Sequence, residues 1–279
     1  MKKASFTFTS IVIILLLVIS CDRKVKTLNN EISFDTIQFN QTHYLGNDTS
    51  KPSCNLKISF VYPKSYTDKN KLQSLQAVFT EKILSEKFAN FSPKEAVDEY
   101  YVQFLKEFNN FTEDDFTNED EELKDESGYA YYTELKNEIL YNQNNFISFT
   151  VSSEIYEGGA HGSHSVYGYV IDLSTGEFLS EDAIAGNNYK KNLATILAQK
   201  IALANGLTDV SQLENIGYNN ISDIAPNNNF TIDDKGITYY FNEYEIGAYF
   251  IGITKVFIPY AELKIYLSKD NPISSLTGA

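Results

Sequence analysis

The apolar residues of this chain change period twice, and that switch limits the fold more than any single motif does. "EISFDTIQFNQTHYL" alternates apolar and polar positions through Ile32, Phe34, Ile37 and Phe39, and "CNLKISFVYP" does so again through Leu56, Ile58, Phe60 and Tyr62. A period of two is the signature of half-buried strands. "KLQSLQAVFTEKILSEKF" then places Leu72, Leu75, Val78, Phe79, Ile83 and Phe88 at helical spacing. "SPKEAVDEYYVQFLKEF" opens with Ser92 as N-cap, Pro93 in the first turn and Glu95 three residues after the cap, a capping box ahead of a second amphipathic helix.

After residue 129 the period returns to two. "YAYYTELKNEILYNQNNFISFTVSSEIYEGG" reads as a hairpin of strands 131–141 and 146–156, and residues 166–173 form another strand before a turn at Gly176. "NYKKNLATILAQKIALAN" is an amphipathic helix with Leu193, Ile196, Leu197 and Ile201 on one face and a stop at Gly206. A weaker helix covers 210–216. "DDKG" turns strand 230–232 into strand 237–241, and strand 255–258 leads through Pro259 into a last short helix. Hairpins and helix pairs, rather than repeated βαβ units, predict an α+β fold with antiparallel sheets packed by amphipathic helices. Two sub-domains are expected, 31–150 and 151–270.

The N-terminus carries a different message. Lys2 and Lys3 precede an apolar run, 11–19, that is too short for a permanent membrane span and ends in "VISC". An aliphatic residue and small residues before a cysteine fit the lipobox, which implies a lipoprotein signal peptide over 1–20 and lipid on Cys21. Residues 21–30 then form a polar tether. With Cys21 lipidated, Cys54 is the only other cysteine, so an intramolecular disulfide is not expected and the fold must rest on its core. The chain is expected to be exported and lipid-anchored in a bacterial cell envelope.

The 23 basic residues face 37 acidic ones, a net charge of −14, and removal of the signal peptide leaves −16. Such a field opposes nucleic acid and anionic lipid, and favours solubility and cationic partners. Nine acids and one lysine crowd into 113–126, read as a solvated loop or frayed helix, with an acidic patch for a basic ligand as the alternative.

The chemistry-bearing candidate is "EIYEGGAHGSHSVYGY", residues 154–169, with two of the three histidines among glycines. His161 and His164 stand three apart, which puts them on opposite faces of a strand, and Gly158, Gly159 and Gly162 disfavour the helix that would align them. A shared metal ion is therefore not expected, and no cofactor is called for. Ser163 lacks the surroundings of a nucleophile elbow. The glycines instead permit positive φ and close backbone approach, as a tight connection between strands requires.

These residues also carry a resemblance. "YEGGAHG" (Tyr156, Gly158, Gly159, His161 and Gly162), "YVIDLSTGEFL" and "NNNFTIDDKGITYYFNEYEIGAYFIGITKVFIPYAEL", with Tyr244 and Glu245, resemble the C-terminal domain of the RsiV-like family over about residues 150–265. That domain is the extracytoplasmic, lysozyme-binding part of an anti-sigma factor and an accessory domain of peptidoglycan deacetylases. Residues 31–150 resemble its usual N-terminal companion. The resemblance implies a non-enzymatic binding module for lysozyme, another cationic protein or a peptidoglycan-related ligand. The alternatives are a cell-wall hydrolase using His161, or a structural component of an envelope complex. Tyr156, Gly158, Gly159, His161, Gly162, Tyr244 and Glu245 are the candidate ligand-binding or structural motif.

Overall fold

The computed structural model describes residues 29–110, 130–219 and 221–278. The expected signal peptide, Cys21 and the acidic run 113–126 lie outside the described residues. Strands β1 (Ser33–Tyr44) and β2 (Ser53–Ser65) come first, followed by helices α1 (Lys69–Ile83) and α2 (Pro93–Asn109). The capping box is present at α2, where the Ser92 amide donates to Glu95 at 3.2 Å; Pro93 occupies the first turn. Strands β3 (Ala130–Gln143), β4 (Phe146–Tyr156), β5 (Ser163–Asp172) and β6 (Glu177–Phe178) follow. After them come α3 (Glu181–Ile184), α4 (Tyr189–Ala204), β7 (Phe230–Ile232), β8 (Gly236–Phe241), β9 (Thr254–Pro259) and α5 (Tyr260–Leu263).

The fold is α+β, as the periodicity requires. Strands β1 to β6 lie in chain order in one sheet, and β7 to β9 form a second, antiparallel sheet. One pairing departs from expectation. Strand β2 runs parallel to β3, with Cys54 opposite Tyr131 and Ile58 opposite Leu135, so the large sheet is mixed rather than antiparallel. The reason is the helix pair: α1 and α2 carry the chain back to the end where β2 began, and a parallel neighbour requires such a crossover. The weak helix expected over 210–216 is a 3-10 helix, Val210–Ile216. At the β3–β4 hairpin, Asn144 and Asn145 both take positive φ, 54° and 66°, as the two-residue turn that matches strand twist demands.

The large sheet is covered on both sides, and β4 shows how. Ile147, Phe149 and Val151 face a core shared with Leu75, Phe79 and Ile83 of α1 and Ala96 and Val97 of α2. Phe146, of opposite parity, belongs to a second core with Leu193, Leu197 and Ile201 of α4 and the small sheet. Residue 150, where the two sub-domains were divided, therefore lies inside a strand that serves both layers. In the first core Phe79 stacks on Phe149 with ring centroids 4.3 Å apart. Burial of each ring contributes about 2–3 kcal/mol.

The second layer approaches more closely. A Cβ on Gly168 would lie 2.6 Å from the backbone of Phe230, so only glycine lets β7 cross β5 there. Its polar docking is equally specific. On the side of β5 away from β4, the amides of Val166 and Gly168 donate to the side chains of Asn242 and Asn229, each at 2.7 Å, and Asn229 donates back to the Val166 carbonyl at 2.9 Å. Side-chain amides thus stand where a seventh strand's peptides would.

Candidate functional site

The connection between β4 and β5, residues 157–162, is as tight as its glycines require. Gly158 and Gly159 both sit at φ 90°. Gly162 has ordinary φ, but an added Cβ would press on the Ile155 carbonyl at 3.0 Å. The Tyr156 hydroxyl closes the loop by donating to the Gly159 carbonyl at 3.0 Å.

Against this loop lies the segment between β8 and β9. His161 stacks on Tyr249, centroids 3.9 Å apart and planes within 21°. Tyr244 tilts against Tyr249 at 5.8 Å, and its hydroxyl is 3.3 Å from His161 Nε2. His161 Nδ1 is 2.9 Å from the Gly162 carbonyl, which also accepts from the Tyr249 hydroxyl at 3.0 Å. Both imidazole nitrogens are therefore engaged within the cluster. A second aromatic pair stands beside it: Tyr132 and Tyr156 face each other across β3 and β4, centroids 5.9 Å apart.

His164 belongs to different chemistry. It sits in β5, where its amide donates to Glu243 Oε2 at 3.0 Å and its Nδ1 is 2.7 Å from Glu243 Oε1. Its Nε2 is 3.7 Å from Glu154, which also accepts from the Tyr132 hydroxyl at 2.8 Å. The imidazole thus lies between a nearly buried carboxylate and an exposed one. No group of three or more His, Cys, Asp or Glu side chains among the described residues is arranged to hold a metal ion.

The charges are felt by the phenols. The pKa of Tyr132 is raised first by its bond to Glu154. That of Tyr249 is raised by desolvation, then by the fields of Glu243, Tyr244 and Glu154. Elsewhere, burial pushes the thiol of Cys54 up to about 11, the state of an unreactive core residue.

Tyr244 is the outlier. It is 63% exposed, yet it adopts φ 64°. It stands third in the turn closed by the Glu245 amide and the Asn242 carbonyl, a position that a positive φ normally reserves for glycine. A bulky side chain there costs on the order of 1 kcal/mol or more. Glu245 supports this turn: its oxygens accept from the Asn242 amide at 2.8 Å and from Asn227 at 2.6 Å.

Comparison with known proteins places this geometry. Residues 49–164 match the family model described as deacetylase PdaC, and residues 180–261 match a protein of unknown function, DUF3298. A crystal structure of a DUF3298 family member from Bacteroides fragilis is 31% identical, covers 90% of this chain and 100% of its own, and superposes with a TM-score of 0.81. This chain belongs to the DUF3298 family. A DUF3298 family protein from Pseudomonas aeruginosa, 16% identical over 88% of this chain and 96% of its own, shares the fold with a TM-score of 0.59. No curated protein matches the chain.

The two family segments meet at the aromatic cluster. The PdaC segment supplies Tyr132, Glu154, Tyr156, His161 and His164, and the DUF3298 segment supplies Glu243, Tyr244 and Tyr249. Of the residues singled out from sequence, Tyr156, the three glycines, His161 and Tyr244 stand at this seam, with Glu245 behind the Tyr244 turn. Tyr132, Glu154, Glu243 and the role of Tyr249 were missed. Glu243 adjoins Tyr244 and Glu245, but its pairing with His164 spans 79 residues and no local pattern announces it.

Proposed function

We propose that this protein is a non-enzymatic cell-envelope lipoprotein whose seam of aromatic side chains contacts a peptidoglycan-related ligand or lysozyme. The observation that carries the reading is Tyr244, held exposed in a backbone conformation that disfavours it. Strain of this kind persists where exposing a side chain has a use. The engaged nitrogens of His161 support a positioned platform more than a free general base, which needs access to a substrate proton. The family segments, one of them named for a deacetylase, support the envelope setting.

Tyr244→Gly separates ligand contact from folding. The variant should be as stable as the parent or up to about 1 kcal/mol more stable, because glycine accepts positive φ without strain. It should also lose binding to purified peptidoglycan or to lysozyme in a sedimentation or calorimetric assay. Undiminished binding to both would sink the proposed contact face. The anchor is tested separately, by intact-mass analysis of the N-terminal peptide. A mature chain beginning at Cys21 with a diacylglyceryl adduct is expected; an unmodified Cys21 would remove the lipoprotein part of the proposal.

A further inference from the structure

We infer that the seam takes a glycan bearing free primary amines, that is, hexosamine units without their N-acetyl groups. This rests on the reading that the seam is the contact face, and it names the ligand's chemistry.

The argument is an account of donors and acceptors. The hydroxyl protons of Tyr132, Tyr156 and Tyr249 are all directed inward, to Glu154, the Gly159 carbonyl and the Gly162 carbonyl. The Tyr244 hydroxyl faces the imidazole of His161. Both oxygens of Glu243 are occupied by His164. What the side chains of the seam offer outward is therefore ring faces and acceptor oxygens. Glu154 is 45% exposed, and its Oε2 takes no hydrogen bond from the described residues. The nearest pairing along the sheet makes the point sharper. Glu134, opposite Glu154 on β3, pairs with Lys57 at 3.0 Å, whereas the only basic side chain among the described residues that pairs with Glu154 is His164, at 3.7 Å.

An N-acetyl group asks its site for a donor to its carbonyl, and these hydroxyls are already committed. An ammonium asks for acceptors and a carboxylate, and it is attracted to the faces of tyrosine rings. Two stacked aromatic pairs, Tyr132 with Tyr156 and His161 with Tyr249, suit the apolar faces of successive sugar rings better than the single side chain of a basic protein. The net charge of −14 favours a cationic polymer at longer range.

The purified full-length chain in detergent is titrated calorimetrically with a glucosamine tetramer, an N-acetylglucosamine tetramer and a lysine tetrapeptide. The glucosamine tetramer is expected to bind, more weakly as salt rises, and the N-acetylated tetramer at least about tenfold more weakly, since it loses the charge-assisted bonds. Glu154→Gln should weaken the glucosamine tetramer about fivefold and leave the N-acetylated one unchanged, because glutamine keeps the Tyr132 bond and removes only the charge. Equal binding of both tetramers overturns the inference while leaving a glycan-binding seam in place. Binding of the lysine peptide alone overturns it in favour of a protein partner. If neither tetramer binds but peptidoglycan or lysozyme does so through Tyr244, the amine inference fails and the contact face stands. If nothing binds, both fail.

Discussion

The two faces of the large sheet are covered by different means. Helices α1 and α2 lie on one face through an apolar core in which Phe79, Phe149, Ile58 and Phe60 are fully buried. The small sheet and α4 lie on the other through an apolar core that also contains polar joints: Asn229 and Asn242 on the edge of β5, Ser148 accepting from the Ile232 amide, and the buried carboxylate of Glu181. Apolar contact is tolerant of small slides, whereas directed hydrogen bonds fix one position. The helical face has directed ties as well, Gln76 to the Pro63 carbonyl at 2.8 Å and Lys71 to the Leu173 carbonyl at 3.1 Å, but the face that builds the seam carries the polar joints on the edge of β5. Only there does the placement of one layer on another decide whether His161 meets Tyr249.

The largest test of this contrast is Phe79→Ala. It empties a fully buried ring site on the helical face and should cost about 3–5 kcal/mol, read as a lower urea midpoint with protection lost throughout the molecule. Binding at the seam, measured under conditions where the variant remains folded, should be unchanged. A loss of binding would show that the helical layer also positions the site.

Asn229→Ala should have the opposite signature. It leaves the Gly168 amide and the Val166 carbonyl without their partner in a buried setting, at a cost of about 2–3 kcal/mol. Hydrogen exchange should rise first in β7, β8 and the seam. Uniform loss of protection would mean that the small sheet does not open separately.

The smallest effect concerns Glu181. Its amide donates to Asn228 Oδ1 at 2.9 Å, its Oε1 accepts from the Asn228 amide at 3.0 Å, and burial raises its pKa above the ordinary 4.5. A raised folded pKa means that the native state holds the proton more tightly than the unfolded chain does. The associated stability is complete below the unfolded pKa and is lost as pH rises through the folded one. Glu181→Gln, which is neutral at every pH, should therefore gain on the parent as pH rises above the ordinary 4.5 in thermal melts. A difference independent of pH would show that the carboxylate is not the titrating group.

Much of this architecture was legible along the chain. The capping box at Ser92, the stop at Gly206 and the "DDKG" hairpin are local chemistry, resolved within a few residues. The parallel pairing of β2 with β3 was not legible, because alternation marks a strand without naming its neighbour. Histidine spacing put His161 and His164 on opposite faces of a strand, whereas His161 lies in the loop before β5 and His164 within it. It could not show that each meets a residue about 80 positions later, Tyr244 for one and Glu243 for the other. The glycines reported only that the loop is tight; the aromatic platform comes from elements that are remote in sequence.

The capped side of β5 has a consequence for self-association. A strand with open amides is a template on which another extended chain can polymerise. Here the amides of His164, Val166 and Gly168 already bond to Glu243, Asn242 and Asn229. The residues that hold the two layers together also leave an incoming strand no donor to recruit at that edge, so correct docking and resistance to runaway self-association depend on the same three side chains.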